Sequence, residues 1–171
     1  IDDLQLLTLG PQLRGSENTK VGQNASKQVY ELVRELVKRS VKKADEKCIR
    51  VRNDSDRIVA IEFASDPDIR ITEQMESGTR PLVSIEIKGG TDASNIHNRL
   101  GEAEKSHQKA RNRGFSEFWT ILRVEVNDAL ARRENPTTKH FFHLDKIRIP
   151  ASAEYKQFRD LLCSVIGIRA R

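Results

Sequence analysis

The hydrophobic positions of the chain change period several times, and each change marks an element. From Asn24 or Ser26, taken as N-cap, apolar residues fall at Val29, Val33, Leu36, Val37 and Val41. That spacing predicts an amphipathic helix to about Lys43. The stretch "CIRVRNDSDRIVAIEF" reads as two strands joined by a polar turn at Asn53 to Asp56. "DIRIT" and "PLVSIEIK" both alternate in period two, with "EQMESGTRP" as the loop between them. A helical stripe returns at Ile96, Leu100, Ala103, His107 and Ala110, which predicts a second helix from near Ser94 to about Arg113, stopped by Gly114. "EFWTILRVEV" reads as a further strand and "NDALARREN" as a short helix stopped before Pro136. "KHFFHL" reads as a shorter strand and "SAEYKQFRDLLCSVIG" as a closing helix. The opening 26 residues, with a short apolar turn and then glycine and polar positions, read as an arm or surface loop. An order of helix, three or four strands, helix, strand and extension predicts an α/β layer arrangement with a meander inside a mixed sheet.

Composition narrows this picture without redirecting it. A chain of 171 residues with 37% hydrophobic content suits one core, so a single domain is expected. Acids and bases are interspersed within a charged fraction of 32%, which excludes a disordered tail. The net charge of +5 permits a polyanionic partner without requiring one. Cys48 and Cys163 lie far apart and match no metal-ligand spacing; with no signal peptide, they read as packing residues of a cytoplasmic protein. The apolar run "LLCSVIGI" is eight residues long, well short of the roughly 20 that a membrane helix needs. The chain opens on Ile1 and holds one methionine, Met75, so it is expected to be part of something longer.

Chemistry enters at the end of "PLVSIEIK". Alternation places Val83, Ile85 and Ile87 toward the core and Ser84, Glu86 and Lys88 on the other face. Likewise Ile69 and Ile71 point one way, while Asp68, Arg70 and Thr72 point the other. If the two strands pair, Asp68 and Glu86 converge with Lys88 at the rim. Two converging carboxylates form a hard-oxygen site suited to Mg²⁺, which takes one or two protein carboxylates together with waters and phosphate oxygens. Such a site polarises a phosphodiester, lowers the pKa of a water and stabilises a leaving alkoxide. Lys88 would orient or deprotonate the attacking water and neutralise charge on the phosphate. Gly89 and Gly90, lacking Cβ atoms, would let the chain turn and a nucleic-acid backbone approach.

An acid-x-Lys triplet is weak by itself, since Asp45-Glu46-Lys47 and Glu154-Tyr155-Lys156 also have it. Only Glu86-Ile87-Lys88 ends an alternating strand and follows the sole Pro-Asp dipeptide, Pro67-Asp68. The competing reading is an edge strand whose exposed Glu and Lys guard against aggregation, paired across to Asp68 or Arg70.

Pro67-Asp68 and Glu86-x-Lys88, set in that element order, resemble the PD-(D/E)XK nuclease superfamily, with its αβββαβ core covered by about residues 24–126. More narrowly, "IEIKGGTDASNIHNRLGEAEKSHQKAR" resembles the catalytic segment of type II restriction endonucleases of the XcyI-like group. The superfamily resemblance implies a restriction-endonuclease-like α/β fold and Mg²⁺-dependent hydrolysis of double-stranded DNA, leaving 5′-phosphate ends. The subfamily resemblance implies cleavage at a short GC-only palindrome, and palindromic sites call for a homodimer. Asp68 and Glu86 would then hold the metal and Lys88 would assist the water. "SDPD" also offers Asp66, read as a turn residue before proline. Some superfamily members recruit an acid from the first helix. Glu31 and Glu35 are the candidates here, although at about 100° per residue both project away from the apolar stripe. The same core leaves room for a junction-resolving or repair nuclease that cuts by DNA shape, or for a non-catalytic DNA-binding module.

The second helix starts just behind this site, so Asn95, Asn98 and Arg99 are candidate DNA contacts. Glu104, Lys105 and Gln108 are candidate supports for the site, with a solvated helix face as the plainer reading. His107 on the stripe reads as a satisfied core histidine, and His140 and His143 around Phe141-Phe142 as a half-buried strand. Trp119 and Ile121 read as core. Aromatic content of 5% gives little for single-strand stacking, which favours a duplex partner.

Overall fold

Val29, Val33 and Val37 form one buried stripe of the first helix, α1 (Asp2–Val37), and fix it on the sheet. The computed structural model describes the backbone of residues 2–170 and the side chains of residues 20–170. The chain then runs through β1 (Val41–Ala44), β2 (Cys48–Arg52), β3 (Ile58–Phe63), β4 (Ile69–Met75) and β5 (Gly78–Lys88). After α2 (Ile96–Asn112) come β6 (Glu117–Leu122), α3 (Asp128–Glu134), β7 (His140–His143) and α4 (Ala153–Ile166). The seven strands lie in sequence order in one sheet. β1 to β5 form an antiparallel meander, and β6 and β7 join in parallel through α2 and α3. The architecture is therefore α/β with a mixed sheet, as the order of periods predicts.

α1 and α4 pack on one face of the sheet, where Val29, Val33, Ile61, Ile71, Ile85, Trp119, Phe158 and Leu162 share a core. α2 covers part of the opposite face, with Leu100 against Leu122 and Val124, and Ala110 against Phe115 and Phe118. Its five stripe residues, Ile96, Leu100, Ala103, His107 and Ala110, are all buried. Gly114, at φ +91°, ends the segment in a conformation that favours glycine. Cys48 and Cys163 are free, the latter buried. Among the described residues, no helix is long and apolar enough to cross a membrane.

Three sequence readings are corrected. The opening segment, read as a loop, is helical from Asp2. Gly10-Pro11, Gly15 and Gly22 look like breakers locally, but extending a helix that is already nucleated costs far less than starting one. At the other end α1 stops at Val37, a short 3₁₀ turn follows, and Val41 pairs with Val51 in a strand. The "EQMESGTRP" loop shrinks to Glu76-Ser77, because β4 and β5 continue as a hairpin with Met75 opposite Gly78. Pro81 tolerates this, since it sits at a register shift where the ladder is already interrupted.

The hairpin arm is held by a buried acid. Glu73 has a side chain 2% exposed and accepts hydrogen bonds from Asn53 Nδ2 (2.8 Å), Arg57 Nε (2.7 Å) and Arg80 Nη2 (2.5 Å). Burial alone would raise its pKa, but the bonds from Arg57, Asn53 and Arg80 outweigh it and hold the carboxyl below its ordinary value. Glu73→Ala should therefore cost about 1–3 kcal/mol in urea unfolding at neutral pH. Because the folded pKa is depressed, this contribution is fully present above the ordinary value of 4.5 and is lost as pH falls through the folded value. The gap between variant and wild type should close in that acid window; an unchanged urea midpoint at neutral pH would refute the assignment.

Candidate active site

β5 has β4 on one side and β6 on the other, so it is a central strand and the edge-strand reading is overturned. Val83, Ile85 and Ile87 enter the core beneath α1 and α4. Ser84 and Glu86 face α2, where they meet His107 and Ser106. With Ile69 opposite Ile85, the antiparallel register brings Asp68, just before β4, alongside the end of β5. Asp68 Oδ2 accepts a hydrogen bond from the Ile87 backbone N–H at 2.7 Å. Lys88 Nζ lies 3.0 Å from Glu86 Oε2, with the two side chains 17% and 5% exposed.

The electrostatics divide the cluster by sign. Burial raises the Asp68 pKa, the Glu86 carboxylate beside it raises it further, and the Ile87 N–H and Lys88 only partly offset this, leaving it at about 6. The Lys88 pKa is raised as well: burial would lower it, but Glu86 and then Asp68 outweigh that. Lys88 is thus a firmly held cation beside two acids. Among the described residues, no group of three or more His, Cys, Asp or Glu is placed to hold a metal ion. The pair Asp68 and Glu86 is an all-oxygen donor set within the one or two carboxylates that Mg²⁺ takes, and a divalent cation would relieve their mutual repulsion, so the residues fit such an ion.

Asp66 lies to one side of this pair. It is within 3.2 Å of Ser106 Oγ, 3.6 Å of Lys109 Nζ and 3.8 Å of Arg113 Nη2. Glu31 and Glu35 are exposed on α1, and Glu35 pairs with Lys38. The part of α1 that reaches the site is Ala25, six residues before Glu31 and ten before Glu35, about 9 Å and about 15 Å along the axis at 1.5 Å per residue. A Cβ on Gly89 would stand 2.3 Å from the Ala25 Cβ, and one on Gly90 would stand 2.3 Å from Arg99 Nη2. The space beside both glycines is therefore filled by the protein itself. Arg99 donates to the Gly90 carbonyl at 2.7 Å, which clasps the turn after Lys88. Asn95 and Asn98 are exposed and bonded to each other at 2.7 Å.

Glu104 accepts from the Thr137 backbone N–H (2.9 Å), the Thr137 hydroxyl (2.7 Å) and Gln108 Nε2 (2.8 Å), tying α2 to the segment before β7. Lys105 is exposed. His107 is fully buried, 3.4 Å from Ser84 Oγ and 3.0 Å from Thr120 Oγ1. His140 and His143 are half-buried on β7. The residue that sequence reasoning missed is Ser106, which donates to Glu86 Oε1 at 2.6 Å. A serine among exposed helix positions gives no signal of its own; only the register of α2 against β5 shows what it touches.

A mixed α/β sheet with paired carboxylates and a lysine at the end of a central strand is the layout of a restriction-endonuclease-like core. The family model for the XcyI restriction endonuclease matches residues 1–169, and the chain belongs to that family. It is 49% identical over 173 residues to the type II restriction enzyme XcyI of Xanthomonas campestris pv. cyanopsidis, covering 100% of this chain and 52% of the relative. It is 45% identical over 172 residues to the type II restriction enzyme Cfr9I of Citrobacter freundii, covering 99% and 52%. The chain thus spans about half the length of the curated relatives it matches. No solved structure matches it.

Two predictions concern the support of the site. Burial lowers the His107 pKa to about 4 against a partial upward pull from Glu86 and Glu104, so the unfolded chain takes up this proton near 6.5 and the folded one does not. Stability from this histidine is fully present above pH 6.5 and falls by on the order of 3 kcal/mol toward pH 4. His107→Gln, unfolded by urea at a series of pH values, should lack that component of the slope. Gly89→Ala should cost about 1–3 kcal/mol by overpacking against Ala25, and Ala25→Gly should recover part of the loss. Strictly additive effects in the double variant would show that the two positions do not touch.

Proposed function

We propose that this chain is the catalytic part of a Mg²⁺-dependent endonuclease that hydrolyses double-stranded DNA as a type II restriction enzyme. The observation that carries the reading is the Asp68 and Glu86 carboxylate pair, forced together at the end of β5 with Lys88 beside it. Membership of the XcyI restriction endonuclease family and the names of the two relatives support it. Asp68 and Glu86 hold the metal. A bound Mg²⁺ supplies a Lewis acid for the scissile phosphate and lowers the pKa of the attacking water. Lys88, 3.0 Å from Glu86, orients or deprotonates the water and neutralises charge on the phosphate. Asn95 and Asn98, exposed just ahead of and within the first turn of α2, face the duplex. Arg99 and the two glycines shape the turn that brings them there. The enzyme works in the cytoplasm as a homodimer whose two-fold symmetry matches a short GC-only palindrome.

The test is cleavage of plasmid and genomic DNA by the full-length protein in Mg²⁺ or EDTA. Discrete fragments that require metal are expected. Preferential cutting of branched DNA would replace this reading with a shape-directed nuclease, and binding without cleavage would replace it with a DNA-binding module. Glu86→Ala and Asp68→Asn should each lower cleavage by more than about 100-fold while leaving DNA binding largely intact. Asp66→Asn should retain most of the activity. Loss with Asp66→Asn and retention with Asp68→Asn would transfer the metal-ligand role to Asp66.

A further inference from the structure

We propose that Ser106 is a positioning residue for Glu86, setting the plane of its carboxylate toward a divalent cation. This rests on the reading of Glu86 as a metal ligand. Glu86 is 4% exposed, so its two oxygens are oriented chiefly by protein groups. Oε2 accepts from Lys88 Nζ at 3.0 Å and Oε1 accepts from Ser106 Oγ at 2.6 Å. A carboxylate offers about four lone-pair sites. One bond on each oxygen therefore fixes the group while leaving each oxygen a lone pair for a cation. Lys88 alone cannot do this, because a single contact at one oxygen leaves the carboxylate free to turn about its χ3 torsion, which is broad for a terminal sp³–sp² bond.

The place of the hydroxyl is set by the core. Ser106 precedes His107, which is fully buried between Ser84 and Thr120, and lies between the buried Ala103 and Ala110 of α2. Its second neighbour is Asp66 Oδ1 at 3.2 Å. The hydroxyl has one hydrogen to give. The shorter approach and the greater burial of Glu86 decide in its favour, since Asp66 is 41% exposed and has Lys109 and Arg113 beside its other oxygen. Hydrogen bonds to metal-ligating carboxylates typically change metal affinity by about 10–100-fold when removed.

The experiment titrates Mn²⁺ into the full-length protein without DNA, reading free ion by electron paramagnetic resonance, for wild type, Ser106→Ala, Ser106→Thr and Glu86→Ala. Ser106→Ala should bind Mn²⁺ about 10–100-fold more weakly. Ser106→Thr, which keeps the hydroxyl, should return affinity to near the wild-type value, and near-UV circular dichroism in EDTA should show all three Ser106 forms folded alike. Unchanged affinity in Ser106→Ala, with binding abolished in Glu86→Ala, overturns the proposal and leaves the metal site standing. Weakened binding that Ser106→Thr does not restore also overturns it, because the effect would then be one of packing. If wild type does not bind Mn²⁺, or Glu86→Ala binds it as well as wild type, the metal-ligand reading of Glu86 fails and the proposal with it.

Discussion

A carboxylate that is 4% exposed in an interior strand of a covered sheet must find its compensation within the protein, and Glu86 is placed under that constraint. Lys88 supplies the charge, two residues along the same face of the same strand. Ser106 supplies the second hydrogen bond, from a helix whose position depends on five buried stripe residues. His107 stays neutral in the same layer, so it adds no second charge next to the ion pair. The cluster is thus the point at which β4, β5 and α2 must agree, and a one-residue slip of β5 would turn Glu86 into the α1 core.

The backbone after Lys88 is under a different constraint. Strand β5 ends where α1 crosses at Ala25, and there is no room for a side chain at Gly89. Arg99 closes from the other helix onto the Gly90 carbonyl. On the α1 side Arg123, which follows β6, donates from its backbone N–H to the Lys88 carbonyl at 3.2 Å and from its side chain to Gln28 at 2.6 Å. The end of β5 is therefore tied to α1, α2 and β6. Groups held on rigid elements in this way keep their geometry better than groups on free loops, which is what a catalytic or binding constellation requires.

How much of this was legible in the sequence follows from the range of each signal. Period-two alternation is local, so the facing of Val83, Ile85 and Ile87 away from Ser84, Glu86 and Lys88 could be read directly, as could the α2 stripe. The loop "EQMESGTRP" could not, because its charged residues and Pro81 look like a turn while the pairing of Glu73 with Arg80 extends the hairpin through it. The length of α1 was hidden for a related reason: breaker residues are read locally and helix propagation is not. Ser106 and Ala25 belong to a third class. Their importance depends on where a helix lands on a strand, a distance that no periodicity along one segment encodes.

Glu73 and the Asp68–Glu86 pair show why the second calls for a functional reading and the first does not. Glu73 is a single carboxylate among Asn53, Arg57 and Arg80, and its pKa is lowered, so the fold stabilises its charge and the charge stabilises the fold. Asp68 is buried against another carboxylate, and its pKa is raised to about 6 although Lys88 and the Ile87 N–H are at hand. A sheet selected only for stability would separate two such acids or give each its own cation, as it does for Glu73. Keeping them together leaves negative charge that the protein's own groups do not balance, in a cluster with one largely buried lysine at its rim. That imbalance is what a site for an added divalent cation needs, and a network of purely structural ion pairs has no use for it.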